Sequence, residues 1–319
     1  DSEKPVELDV ANLNLNAQTM FQIMAAEMML KRGQPKAAFD TLYPITDKLR
    51  EPELAQRLFQ ISMSTYDLPS IEKATYLWRD VSPESSTAWR ASFLLALRKG
   101  QVQEALEDWD KFQELSEANL ASDLIGSATK VGGSVPTQYG MVFFQKLTEK
   151  YPEEWASYYA LGMISTIYQD AENGIPALLK AKSLMEQEDD GDSQALIYNL
   201  LSKLYMSVEP PQKGVDALRP YVEKHPTDLL VQERLARLEV QAQLYEAAEK
   251  RYEYIVEQEP MAHTSLFALA LLQLERDAFD KAEQNLIKVS KQKGYQSIAF
   301  YYLGILYQEQ KLNEKAKSY

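Results

Sequence analysis

The sequence predicts an all-α solenoid of helix–turn–helix repeats, and three observations carry that prediction. Segments starting at Leu229, His263 and Ser297 follow one another at a step of 34 residues. Small residues recur at fixed places inside them: Ala236, Ala270 and Gly304 at the eighth, Ala248, Ala282 and Ala316 at the twentieth. Apolar residues elsewhere recur at three- and four-residue spacing, as in Phe21, Met24, Ala25, Met28 and Met29. The first two define a repeat as long as one helix pair, and the third is the helical period itself.

Residues Asp1 to Asn16 show weak periodicity and an early proline, Pro5. Residues 1–18 read as a frayed N-terminal leader, with the alternation Val6, Leu8, Val10 leaving an extended arm as the other reading. The repeats fill 19–319. Gly33 closes the first helix and Pro35 opens the second, which continues its apolar face with Ala38, Leu42 and Ile45.

Counting back from the regular C-terminal segments places repeat starts near Thr19, Ala55, Ser86, Ala121, Trp155, Ala195, Leu229, His263 and Ser297. The eighth places hold Ala26, Ser62, Phe93, Ala128, Gly162, Ser202, Ala236, Ala270 and Gly304. The twentieth hold Ala38, Ala74, Ala105, Gly140, Gly174, Gly214, Ala248, Ala282 and Ala316. Small residues belong there because neighbouring helices approach closely only where no side chain intervenes. Bulky groups then fill the surrounding space: Leu161, Leu235, Leu269 and Leu303 on one side, Trp78, Trp109, Phe144 and Tyr252 on the other. Pro83, Pro152, Pro226 and Pro260 stop second helices.

Departures from the pattern predict departures in structure. Pro83 comes early, so the second helix of repeat two is expected to be truncated. Phe93 at an eighth place suggests a shifted register in repeat three. Gly132-Gly133 and Pro136 predict a helix break, with a bend or flexible point between repeats three and five. The long step after Trp155 predicts an acidic surface loop around Glu186–Asp192. Pro44 and Pro220 share the twenty-sixth place and each predict a kink within a second helix. Ala316 stands three residues before the end, so the last repeat is expected to be truncated and the protein to continue past Tyr319. A start at Asp1 rather than methionine is expected to reflect processing.

Composition excludes several functions. A net charge of −13 opposes a nucleic-acid footprint. With no cysteine there is no disulfide, thiolate metal site or cysteine nucleophile. No apolar run is long enough to span a bilayer. His225 and His263 fall at repeat boundaries without a neighbouring nucleophile and read as surface or packing residues. Zinc-protease, nucleophile-elbow, Walker and dinucleotide motifs are absent. Gly132-Gly133 lacks the lysine of a phosphate loop, and Glu186, Glu188, Asp189, Asp190 and Asp192 lack the spacing of a calcium loop. No catalytic residue, cofactor or metal site is expected. Tyr205, Tyr252 and Tyr307 read as core.

The segments Leu303-Gly304-Ile305-Leu306-Tyr307, Leu161-Gly162-Met163-Ile164 and 244–252 resemble tetratricopeptide repeat (TPR) consensus segments, over about 19–319. Ala26-Glu27, Lys31-Arg32-Gly33 and 50–57 are further similar to large proteobacterial envelope-associated TPR proteins, often signal-bearing or lipid-anchored. The resemblance implies a right-handed superhelix of about eight to nine repeats that binds proteins. It also implies a periplasmic or outer-membrane-associated setting, with the cytoplasm as the alternative.

In the TPR family, first-helix places 2, 5, 9, 12 and 13 line a concave groove that takes peptides or partner helices. By that resemblance the candidate groove residues here are Phe59, Met63, Arg90, Leu94, Tyr159 and Met163, then Asn199, Lys203, Glu233, Arg234, Arg237, Phe267 and Tyr301. The polar step Asn199, Lys203, Glu233, Arg234, Arg237 is suited to a carboxylate through charge-assisted bonds. Its order differs from the chaperone-type carboxylate clamp, and an internal Glu233–Arg237 pair is the competing reading. The expected function is a non-enzymatic scaffold for a peptide or helix of another protein. The alternative is an oligomerisation or intramolecular docking module of a longer protein, with a homo-oligomer possible.

Overall fold

The computed structural model describes residues 17–187 and 194–310. They form 17 helices in repeating pairs. Helix α1 (Ala17–Lys31) is followed by α2 (Pro35–Leu49), α3 (Pro52–Met63) by α4 (Leu68–Val81), and α5 (Ser86–Arg98) by α6 (Val102–Leu115). Next come α7 (Leu120–Gly132) and α8 (Thr137–Lys150), then α9 (Trp155–Tyr168) and α10 (Ala171–Gln187). The series ends with α11 (Gln194–Tyr205), α12 (Gln212–Lys224), α13 (Leu229–Gln241), α14 (Tyr245–Gln258), α15 (His263–Glu275), α16 (Phe279–Ser290) and α17 (Gln296–Glu309). The leader 1–16, the acidic stretch 188–192 and the final half-repeat from 311 lie outside the described residues.

First helices begin within three residues of every repeat start read from the sequence. The largest offset corrects a reading. Pro52 opens α3 three residues ahead of Ala55, because proline suits the first helical turn, where its missing N–H costs nothing. Repeat two therefore has the ordinary length, and α4 is not truncated: it has 14 residues, as do α6, α8 and α14. Pro83 lies just beyond its end rather than inside it. Helix α7 also runs one residue further than the glycine pair suggested, taking in Gly132 and stopping at Gly133. Pro44 and Pro220 do lie inside α2 and α12, joined by Pro176 in α10. All three are solvent-exposed, so each missing donor falls on the wet side of its helix.

Six of the eight turns within repeats share one device. A single left-handed residue follows the first helix: Gly33, Tyr66, Gly100, Gln169, Gln243 and Asp277, with φ between 52° and 77°. In five of these turns the next amide reaches back to the fifth residue before it. Examples are Gln34 N to Met29 O at 3.0 Å, Gln101 N to Ala96 O at 2.8 Å and Leu244 N to Glu239 O at 2.7 Å. This is the Schellman closure, which satisfies carbonyls left over at a helix end.

The chain divides into two compact units, Asp1–Ile164 and Ser165–Tyr319. In unit 1, α1 to α4 enclose a core including Ile23, Ala26, Leu42, Leu58 and Leu77. Farther along, Phe93, Trp109, Phe143 and Phe144 are fully buried. Phe93 stacks on Phe143 at 5.8 Å and meets Trp109 edge-on at 5.7 Å. Helix α5 starts at Ser86 as expected, so Phe93 causes no register shift; α8 packs on α5 and α6 around the ring. In unit 2, Leu269 and Leu272 pack with Tyr252 and Ile255, while Leu303, Leu306 and Tyr307 close onto Ala270 and Leu286. Tyr205, Tyr252 and Tyr307 are buried, as core residues should be.

Candidate partner-binding face

Buried polar residues fix how first and second helices face each other. In repeat seven Glu239 is wholly buried, and Arg251 grips both of its oxygens at 3.0 Å. Arg251 also donates to Gln232 at 2.6 Å. One repeat later, 34 positions on, Asn285 donates to Gln273 at 2.8 Å in the same two places. In repeat three the buried Asp108 accepts from the Ser92 hydroxyl at 2.6 Å and from Arg79 at 3.2 Å. Burial raises the Asp108 carboxyl above its ordinary range, opposed by the Ser92 bond and the Arg79 charge. Arg79 is also held over the rings of Tyr76 and Trp89, beside a cavity of about 680 Å³.

The candidate groove residues divide between the two units. In unit 1, Phe59 is half-buried against Trp78 at 5.0 Å, while Arg90, Leu94 and Met163 are half-buried and Met63 is exposed. Tyr159 is buried, and that burial raises its hydroxyl pKa. Its ring is therefore a wall of the core more than a protruding anchor. Glu27, on the same helix series, is clasped by Arg57 at 2.6 and 2.7 Å.

In unit 2 the polar step is partly internal. Arg234 donates to the Asn199 carbonyl at 2.8 Å, the Asn199 side chain at 2.8 Å and Ser202 at 2.7 Å, bolting α13 to α11. Burial lowers the Arg234 pKa, opposed by Glu233 and Asp228. Lys203 and Arg237 remain exposed, one repeat apart. The competing Glu233–Arg237 pair does not form; the buried carboxylate nearby, Glu239, takes Arg251 instead. Phe267 is half-buried between Tyr295 and Tyr302, and Tyr301 is exposed. Leu196, Leu230 and Ile298 complete the face, exposed at the second place of their repeats. Their common place was readable in the sequence; their exposure was not, because leucine and isoleucine at helical spacing read equally well as core.

Among the described residues no cluster of acidic, histidine or cysteine side chains could hold a metal, and none of their helices is long and apolar enough to cross a membrane. His225 is exposed and stacks on Tyr221 at 4.6 Å. His263 is half-buried near Tyr295.

Helix pairs of this length, joined by these turns at a 34-residue step, define an all-α tetratricopeptide-type repeat protein. No protein-family model matches the sequence, and no curated protein does. Solved structures align along most of the chain. The human IFIT1 dimer with PPP-AAAA is 13% identical, covering 95% of this chain and 76% of its own, at a TM-score of 0.42. The TPR domain of P58(IPK) is 13% identical, covering 94% of this chain and 90% of its own, at a TM-score of 0.28.

Proposed function

We propose that the chain is a non-enzymatic scaffold whose first-helix face in unit 2 holds a segment of a partner protein. One observation carries the reading. Apolar Leu196, Leu230 and Ile298 are exposed in one register of the repeat, and basic Lys203 and Arg237 in another. A partner presenting apolar side chains along one edge and carboxylates along the other complements both rows. Apolar anchors would supply most of the affinity, and the charges would set orientation. A bacterial periplasmic or outer-membrane-associated setting is proposed on the resemblance of 26–33 and 50–57 alone.

The test is site-specific photocrosslinking from position 200, on α11, in the full-length protein in its native source. Lys203→Glu combined with Arg237→Glu should abolish the crosslinked partner while helicity and melting temperature stay unchanged. Equal crosslinking by the unaltered and doubly substituted chains would reject the face.

A further inference from the structure

Unit 1 holds the turns that follow α1, α3, α5 and α7. Each helix pair folds back in the same sense as its neighbour, so these turns share one edge of the unit and the turns between repeats share the other.

The two edges differ in chemistry. Exposed Lys31 and Arg32 end α1, Arg98 ends α5, and exposed Lys130 stands in the last turn of α7. None of the four has a carboxylate partner among the described residues. Asp67, Glu72 and Glu104 are the acids beside these turns, and Lys36 and Lys99 already hold the first two. The other edge is acidic, with exposed Glu51, Glu53, Glu84, Glu114, Glu117 and Glu153. The second helices that separate the edges have 14 or 15 residues and so span about 21 Å at about 1.5 Å per residue. That exceeds twice the screening length of about 8 Å in physiological salt. The basic edge therefore presents its own sign, although the whole chain carries −13.

Tyr66 projects from the basic edge. It is 95% exposed and has φ 52°. The other left-handed turn residues are glycine, glutamine and aspartate, so an aromatic ring is held here in an unfavourable conformation without packing against anything. Met63 and Leu68 flank it, both exposed.

We propose that this edge of unit 1 rests on an anionic lipid bilayer, with Tyr66 and Leu68 entering the headgroup layer. A ring standing almost wholly free is a knob, and it suits a surface that yields around it. Tyrosine favours the headgroup level, where its ring meets apolar surroundings and its hydroxyl meets water. The cations on the neighbouring turns reach the same plane, because the turns share the edge. Stable peripheral attachment takes two signals together, apolar insertion and attraction to anionic lipid. This edge carries both.

The test uses the whole 319-residue chain with vesicles of phosphatidylglycerol mixed with phosphatidylcholine, and with phosphatidylcholine alone. The chain should sediment with the anionic vesicles and not with the neutral ones, and less so at raised salt. Each cation near an anionic surface raises the binding constant about fivefold, so Arg32→Glu, which reverses a charge, should weaken binding by about tenfold or more. Lys48→Glu, on the acidic edge, should leave it unchanged. Tyr66→Ser with Leu68→Ser should weaken it severalfold. The chain has no cysteine, so an environment-sensitive dye attached through Tyr66→Cys reports that position alone. Its emission should shift to the blue on anionic vesicles, while the same dye attached through Lys48→Cys stays unmoved. Failure to sediment with anionic vesicles overturns the proposal. So does equal loss from Arg32→Glu and Lys48→Glu, or a dye at position 66 that does not respond.

Discussion

Arg251 closes on the buried carboxylate of Glu239 through two parallel bonds, Nε to Oε2 and Nη2 to Oε1, each 3.0 Å. This fork-to-fork geometry is the strongest form of an arginine–carboxylate contact. Glu239 is fully enclosed, so its charge depends on that partner. Arg251→Met should cost about 3 kcal/mol or more, the usual result of stranding a buried charge. Arg219, 3.8 Å away, softens the loss slightly. Replacing both residues with the pair found one repeat later, Glu239→Gln and Arg251→Asn, should recover most of it. Chemical unfolding of the three proteins decides the matter; a double variant no better than the single one would contradict the shared role of the two places.

The left-handed turn residues give a stabilising prediction. Tyr66 has φ 52° and Gln243 φ 60°, a region that penalises any side chain bearing a Cβ. Tyr66 is also 95% exposed, so removing its ring loses no packing. Tyr66→Gly and Gln243→Gly should each stabilise by about 1 kcal/mol. Gly100→Ala should do the reverse. Its φ is 77°, and an added Cβ would lie 2.6 Å from the Tyr139 ring. Thermal melts of the three variants test both directions.

Asp123 makes unit 1 sensitive to pH. One of its oxygens accepts from Ser116 at 2.9 Å, while the other is buried without a partner. Burial raises its pKa, against the Ser116 bond and the charge of Arg90. A carboxyl whose folded pKa lies above its unfolded value favours folding at acid pH, and that contribution fades as pH rises through the folded value. Asp123→Asn should therefore stabilise the protein at pH 7 by about 1 kcal/mol and much less below the ordinary carboxyl pKa. A gain of equal size at both pH values would exclude ionisation as its cause.

Tyr159 gives the sharpest contrast between reading a residue's place and seeing its surroundings. Its fifth place in the repeat made it a groove candidate, yet it is buried. Tyr159→Ala should destabilise by about 3 kcal/mol, as cavity-forming aromatic truncations do. Tyr301→Ala, with its ring in solvent, should change stability little. Calorimetry of both variants distinguishes wall from surface.

The repeat itself was legible because close helix packing demands small residues at fixed spacing, and Ala236, Ala248, Ala270 and Ala282 met that demand without exception. Pro52 is silent in the apolar pattern, because proline marks a helix start without adding to an apolar face. The ties at Glu239–Arg251 and Gln273–Asn285 were hidden for another reason. Polar residues on an amphipathic helix ordinarily read as its wet side, and only the fold shows that these face inward. Phe93 misled in the opposite sense. A large ring where a small residue was expected suggested a slipped register, but neighbouring aromatic rings made room for it.

Gly214 has a consequence beyond its own helix. A methyl group placed there would meet Leu238 at 2.8 Å and Tyr205 at 3.0 Å. Helices α11, α12 and α13 thus converge on an atom that does not exist. Adding that atom would force the Leu238 methyl and the Tyr205 Cβ to give way together at the seam between two successive repeats. The spacing between layers in unit 2 is thus gauged by an omission, and the apolar and basic residues of the proposed face, Leu196 and Lys203 on α11 and Leu230 and Arg237 on α13, stand on the two helices that this omission lets close together.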